Sequence, residues 1–316
     1  MLSRRKFGKN VLSQLVGISL ASTLGGRAFA QQQTVRIGYQ KYGTLALLKD
    51  QKILEKSLDA KGISVQWALF PAGPPLLQAL IAGALDFGSA GDLPPIFAQA
   101  SSPGSMVYVG HETPAGASEA IIVPQDSSIT TIKDLQGKSI AVTRGSDAHW
   151  LLLAALKNNG LSLNDVKVSY LLPAAARPAF EGGKVDAWAI WDPYLSGVSN
   201  PVRVLATGDD VQGGTEFYLA GKEFSQKNPE LLHAITDAIE QCDVWMESHK
   251  AEVAAILARS TGLELDVVER SIAKIHYGYH PMTRPVIASQ QHIADTFAAA
   301  GLLPSVPNVQ DAAPGI

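Results

Sequence analysis

Apolar positions along the chain switch repeatedly between two periods. Val35–Tyr39, Ile63–Phe70, Ser139–Thr143 and Val166–Leu172 are short aliphatic runs bounded by Gly, Pro or polar residues, the pattern of buried strands. Between them, Leu45–Lys56 and His149–Asn159 carry apolar residues at three-to-four spacing, which predicts helices with one buried face. Two further segments match each other. Gly83-Ala-Leu-Asp-Phe-Gly-Ser-Ala-Gly-Asp-Leu-Pro94 and Gly183-Lys-Val-Asp-Ala-Trp-Ala-Ile-Trp-Asp-Pro-Tyr194 share a glycine, an aliphatic residue and two aspartates in register, so that Gly83, Asp86 and Asp92 reappear as Gly183, Asp186 and Asp192. Upstream, Leu69-Phe-Pro-Ala72 is echoed by Leu171-Leu-Pro-Ala174. Each unit reads β-α-β-α-β, so the fold class is α/β: a mostly parallel sheet flanked by helices, built twice.

The rest of the chain modifies this picture. Residues 119–124 and 216–220 are strand-like runs on either side of the second unit and suit chain crossings between lobes. Leu231, Leu232, Ile235, Ala238, Ile239, Cys242 and Trp245 form one helical face, and 285–300 repeats the pattern. These helices have no sheet of their own and are expected to complete the first lobe. The expected division is 31–124 for the first part of lobe 1, 125–213 for lobe 2 and 214–316 for the return to lobe 1. Residues 1–30 read as an export signal: Arg4-Arg5 and Lys6, an apolar run, then Ala28-Phe29-Ala30. The paired arginines followed by Phe7 and Lys9 suggest the twin-arginine route, and a periplasmic location follows.

Composition excludes several classes. Of the residues, 46% are hydrophobic and 17% charged, with a net charge of −3, so the chain is globular and offers no basic surface to nucleic acid. A lone Cys242 allows neither an internal disulfide nor a thiolate metal site. Ser146-Asp147-Ala148-His149 holds the letters of a hydrolase triad, crowded too closely to form a nucleophile–base–orienter chain. His276 and His280 flank Gly278 and precede Pro281, which favours a loop over a metal-binding helix face. No cofactor is expected.

Ligands of open parallel sheets bind beyond the carboxyl ends of the strands. Here those ends are Gly38–Gln40, Gly88–Gly91, Thr143–Ser146 and Trp188–Asp192. Helix starts after them supply free N–H groups, Ser89 and Ser146 supply hydroxyls, and Gly91 and Gly145 allow close backbone approach. The combination suits an oxyanion. Trp188 and Trp191 lie on opposite faces of an extended strand. Trp191, at the strand end, is the better candidate wall for an apolar ligand body. Asp92 and Asp192, next to prolines, suit helix caps, and Asp192 is also a candidate for an amino or hydroxyl group at the ligand's far end. Asp86 and Asp186 read as strand-end residues.

Val35-Arg-Ile-Gly-Tyr-Gln-Lys41, Phe70-Pro-Ala-Gly-Pro74, Gly88-Ser-Ala-Gly-Asp-Leu-Pro-Pro95 and Asp186-Ala-Trp-Ala-Ile-Trp-Asp-Pro-Tyr194 resemble the aliphatic sulfonate-binding proteins of ABC importers. The resemblance implies a type II periplasmic binding protein, two-lobed with a two-strand hinge, that is no enzyme. It implies a monomer that captures a small sulfonate and delivers it to an ABC permease at the membrane. Taurine, aryl sulfonate or nitrate receptors, and a thiamine-pyrimidine-synthase-like enzyme on the same fold, are the alternatives. The candidate ligand contacts are Gln40, Ser89, Gly91, Asp92, Gly145, Ser146, His149, Trp188, Trp191 and Asp192. The sequence departs from the family at Asp147-Ala148-His149-Trp150. A carboxylate near the anion seat points to a zwitterion, a smaller group or an aromatic tail, or to side chains that face away.

Overall fold

Each repeat closes into its own sheet. The computed structural model describes residues 33–316, so the export signal read over residues 1–30 lies outside the described residues. In the first sheet, β1 (Thr34–Tyr39) runs parallel between β2 (Ser64–Leu69) and β3 (Phe87–Ala90), with Ile37 opposite both Trp67 and Phe87. Three antiparallel strands extend it: β10 (Phe217–Gly221) beside β3, then β4 (Met106–Glu112), then β11 (Tyr279–Pro281) at the edge. The second sheet repeats the plan. β6 (Ser139–Val142) lies parallel between β7 (Lys167–Tyr170) and β8 (Ala187–Trp191), and antiparallel β5 (Glu119–Pro124) and β9 (Val202–Thr207) follow.

The matched aspartates explain why the repeat kept them. The Asp86 carboxylate accepts the Arg36 N–H at 2.8 Å and its guanidinium at 2.6 Å, tying the entry of β3 to β1. In the second unit the Asp186 carboxylate accepts the Ser139 N–H at 2.7 Å and its hydroxyl at 2.6 Å, tying β8 to β6. Before each, Gly83 and Gly183 take φ of +73° and +66°, a left-handed turn that a side chain resists.

The chain passes from the first sheet to the second at 113–118 and returns at 208–216. The two passages touch: Ala115 N–H donates to the Gly214 carbonyl at 2.9 Å, and Glu112 N–H to the Glu216 carbonyl at 2.9 Å. The first crossing therefore precedes β5, which belongs to the second sheet, and the expected lobe 1 segment 31–124 is too long at its end. The second return comes at 208–216, spanning the expected boundary after 213. Apolar runs alone mark strands but not the sheet they join.

Helices α1 (Gly43–Gln51), α2 (Ile53–Leu58), α3 (Gly73–Ile81) and α4 (Pro94–Ser101) serve the first repeat; α5 (Asp147–Asn158) and α6 (Pro173–Glu181) serve the second. The single helix read over 45–56 is broken at Lys52, which adopts a left-handed conformation (φ 52°) and donates its N–H to the Leu48 and Lys49 carbonyls. Prolines at the first turns of α3, α4 and α6 fit where an N–H has no helical partner. After α7 (Lys222–Lys227), the long α8 (Pro229–Ser248), α9 (Lys250–Thr261) and α10 (Leu265–Ile272) pack Ile235, Ile239, Met246, Val253 and Val268 against Val35, Ile37, Leu47 and Leu48. They cover one face of the first sheet, as their period implied. The last helix, α11 (Arg284–Ala299), does something else. Its Phe297 stacks edge-on against Phe97 of α4 and against His149 of α5, so it packs on both lobes.

Candidate functional site

The carboxyl ends of the parallel strands in both sheets point to one cavity of about 70 Å³. Its lining comes from the start of α1 (Tyr42, Gly43, Thr44), the end of β3 (Ser89, Gly91), both crossings (Glu112–Glu119 and Gly214–Glu216), the first residue of α5 (Asp147), the end of β8 (Trp191, Asp192) and the segment carrying Ile275 and Tyr277. At roughly 10–15 Å³ per water, this is space for a molecule of about five to seven non-hydrogen atoms.

Trp191 forms a wall. It is buried and meets Tyr194 edge-on at 6.0 Å. The start of α1 faces the cavity with no side chain capping its first N–H groups and no acidic residue in its first turn. Such an end carries partial positive charge and unpaired donors.

Carboxylates dominate the remaining lining: Glu112, Glu119, Asp147, Asp192 and Glu216, with no Lys or Arg. Three are well partnered. Asp192 pairs with Lys274 Nζ at 2.7 Å and accepts the Ser196 N–H at 2.8 Å. Glu112 accepts Thr44 Oγ1 at 3.2 Å, the Gly278 N–H at 3.0 Å and the Tyr218 hydroxyl. Glu216 accepts the Tyr42 hydroxyl at 3.2 Å and the Ser89 hydroxyl, yet burial and the nearby Asp147 charge push its carboxyl up to about 8. Burial raises Asp147 to about 7 even though it accepts the Leu93 N–H and its own. Burial, then the charges of Asp147, Asp92 and Asp209, raise Glu119 well above the usual carboxylate range.

Residues 33–267 match the family model described as the substrate-binding domain of an ABC-type glycine betaine transport system. A relative in Escherichia coli (strain K12), named as an aliphatic sulfonates-binding protein, is 40% identical over 294 residues, 92% of this chain and 91% of the relative. The chain belongs to the aliphatic sulfonate-binding family of ABC-type substrate-binding proteins. The taurine-binding periplasmic protein of the same organism is 29% identical over 78% of each chain. Among solved structures, the alkanesulfonate-binding protein of Xanthomonas axonopodis pv. citri bound to MOPS superposes with a TM-score of 0.84 at 40% identity, covering 89% of this chain and 97% of that one. Membership makes this chain a transport receptor and not an enzyme on the same fold.

Within this sulfonate-binding family member, the cavity brings together Ser89, Gly91, Trp191 and Asp192 of the residues expected from sequence. The others lie elsewhere. Trp188 is 1% exposed and packs against Phe180 in the second lobe, because its strand position faces the core. Asp92 caps no helix. Its carboxylate turns to the second crossing and accepts the N–H groups of Gly214 at 2.7 Å and Thr215 at 3.2 Å, and burial lifts it to about 8. Gln40 is buried outside the lining, its amide 3.5 Å from the Tyr42 hydroxyl. The Gly145–Ser146 helix start is spent internally: the Gly145 N–H donates to His149 Nδ1 at 3.2 Å, and Ser146 Oγ donates to the Thr143 carbonyl at 2.8 Å. His149 is thereby occupied, and burial lowers its imidazole to about 4.

The place that motif reading reserved for a ligand oxyanion is taken by Asp147 itself. A Cβ on Gly91 would fall 2.3 Å from the Asp147 carboxyl carbon, so Asp147 of α5 lies directly on the β3 turn of the other lobe. Trp150 points away, toward His292 and Phe297 of α11. Motif reading also passed over Tyr42, Thr44, Glu112, Glu119, Glu216 and Tyr218. The available signal was acidic: Glu112 and Glu119 flank the first crossing, and Glu216 ends the second.

Proposed function

We propose that this protein is the periplasmic receptor of an ABC importer, acts as a monomer, leaves the cytoplasm by the twin-arginine route, and captures a small organic sulfonate between its lobes. One observation carries the ligand class: a cavity between the two sheets that joins an uncapped helix start to an indole wall, in a chain whose relatives named for aliphatic sulfonates align over nearly its whole length. The sulfonate oxygens take the N–H groups at the start of α1, and the organic part lies against Trp191. Several contacts join the lobes around the cavity: Lys274 to Asp192 at 2.7 Å, Arg270 to the Ser196 carbonyl at 2.9 Å, and Asp147 to the β3 turn. A ligand that adds contacts to both lobes favours this arrangement by its differential affinity for it.

A thermal-shift panel tests the reading. A sulfonate at about 100 times its dissociation constant stabilises the protein by about 2.7 kcal/mol. A shift with organic sulfonates and none with sulfate or nitrate is the expected outcome. A shift with nitrate alone, or none with any sulfonate, refutes it. For export, replacing Arg4-Arg5 by lysines should hold the precursor in the cytoplasm. Light scattering of the purified protein checks the monomer.

A further inference from the structure

The cavity carries more acceptors than a simple anion tolerates. Asp192, Glu112 and Glu216 are answered by the donors described above. Glu119 is not: it is 1% exposed, lines the cavity, and neither carboxylate oxygen has a hydrogen-bond partner among the described residues. Asp147 lines the same cavity, and its Oδ1 is likewise without a partner among them. A buried acceptor left unpaired is destabilising, and more so when charged, so such groups stand in folded proteins where something else satisfies them. The Gly208 and Gly213 backbones press on Glu119 so closely that a Cβ at either would meet its Oε1 within 2.8 Å, so glycine at both positions leaves room for the carboxylate.

We propose that Glu119 and Asp147 form a seat for a positively charged nitrogen, so that the ligand is a dipolar aminosulfonate and not a plain alkanesulfonate. The inference rests on the sulfonate reading and narrows it. The chemistry matches in number and sign. A primary ammonium offers three N–H donors from one point, and the unpaired oxygens are Glu119 Oε1 and Oε2 and Asp147 Oδ1. A plain alkanesulfonate places a methyl group there and brings a net negative charge into a lining of five carboxylates and no cation. The sulfonate goes to the uncapped start of α1, whose first turn carries no acidic residue of its own and whose Thr44 hydroxyl already answers Glu112. A bound metal ion is a poorer match, because no group of three His, Cys, Asp or Glu among the described residues is arranged to hold one.

The groups facing Asp147 and Glu119 set a second signature. They are Asp92 from the β3–α4 turn, Glu216 and Tyr42 across the cavity, and Asp209 after β9. Apart from the tyrosine they are carboxyls, and burial favours the protonated forms of Asp92, Glu119, Asp147 and Glu216. A cation entering this cluster displaces protons; an anion draws them in.

Isothermal titration in phosphate and in a second, sulfonate-free buffer tests the proposal with an isosteric pair. 2-Aminoethanesulfonate and 1-propanesulfonate differ by ammonium against methyl, and 1-propylamine keeps the cation without the sulfonate. We expect the aminosulfonate to bind at least about tenfold more tightly than propanesulfonate and to release protons, as read from heats in buffers of different ionisation enthalpy. Asp147→Asn and Glu119→Gln should each cut that preference to a few-fold or less while leaving propanesulfonate binding equal or tighter. Should Glu119→Gln fail to fold, Asp147→Asn and the proton count on the unaltered protein still decide. Equal or tighter binding of propanesulfonate overturns the inference and leaves the sulfonate reading standing. Binding of propylamine with no sulfonate bound overturns the sulfonate reading, and the dipolar ligand with it.

Discussion

Lys274→Met tests how the lobes are held beside the cavity. Lys274 follows α10 on the first lobe, and its Nζ lies 2.7 Å from Asp192 Oδ2 and 3.2 Å from Ser196 Oγ of the second. The Asp192 side chain is 3% exposed and the Lys274 side chain 29%. Removing the lysine leaves a buried carboxylate with the Ser196 N–H as its remaining donor. Breaking a fully buried pair costs about 3–5 kcal/mol. Water reaches the lysine side, so we expect about 2–3 kcal/mol here. Urea unfolding should show a lower midpoint at unchanged slope, and thermal unfolding a drop of roughly 5–10 °C. The double variant Lys274→Met/Asp192→Asn should recover most of the loss, because an amide carries no charge to strand, giving a coupling above about 1 kcal/mol. If Lys274→Met stays within about 0.5 kcal/mol of the parent, or the two changes simply add, the carboxylate is solvated in solution and the bridge does not join the lobes.

Trp188→Phe should destabilise the protein by about 1–3 kcal/mol in urea unfolding and leave ligand affinity within twofold, whereas Trp191→Ala should weaken ligand binding in titration calorimetry by tenfold or more. Gly91→Ala places a methyl group against the Asp147 carboxylate and should weaken ligand binding about tenfold; adding Asp147→Ala should restore approach of the lobes, read by small-angle scattering with and without ligand. Between pH 8.5 and 6.5 the ligand-free protein should become more stable, not less. Asp147, Asp92 and Glu216 sit at about 7, 8 and 8, above their unfolded values, so the folded state binds more protons, and this contribution is lost as pH rises through 7–8. The window stops at 6.5 because His149, held neutral at about 4 by burial, opposes the trend below its unfolded value. A midpoint that is higher at pH 8.5 refutes the burial of these carboxyls.

Local rules determined much of this protein. The period of the apolar residues marked β1, β2, β6 and β7, because a strand or helix face must bury whatever its spacing aligns. The doubled Gly-x-x-Asp register announced two similar lobes, and the structure supplies its cause: each Asp holds the first strand of its unit through backbone N–H, a requirement that both copies share. Trp191 was legible as a cavity wall because it ends a strand. Gly145, Ser146 and His149 misled. Their donors and acceptors satisfy one another within a single turn, and a list of residue types does not show which partners a group has already taken. What only the tertiary structure decided is the sign of the site. Glu112 and Glu119 on one crossing, Glu216 on the other, and Asp147 on a helix of the second lobe are far apart along the chain, and each looks like ordinary surface charge. Folding two sheets against each other brings these carboxylates around one small cavity and removes the water that would have screened them, and that sum of charges over separate segments is what no local pattern contains.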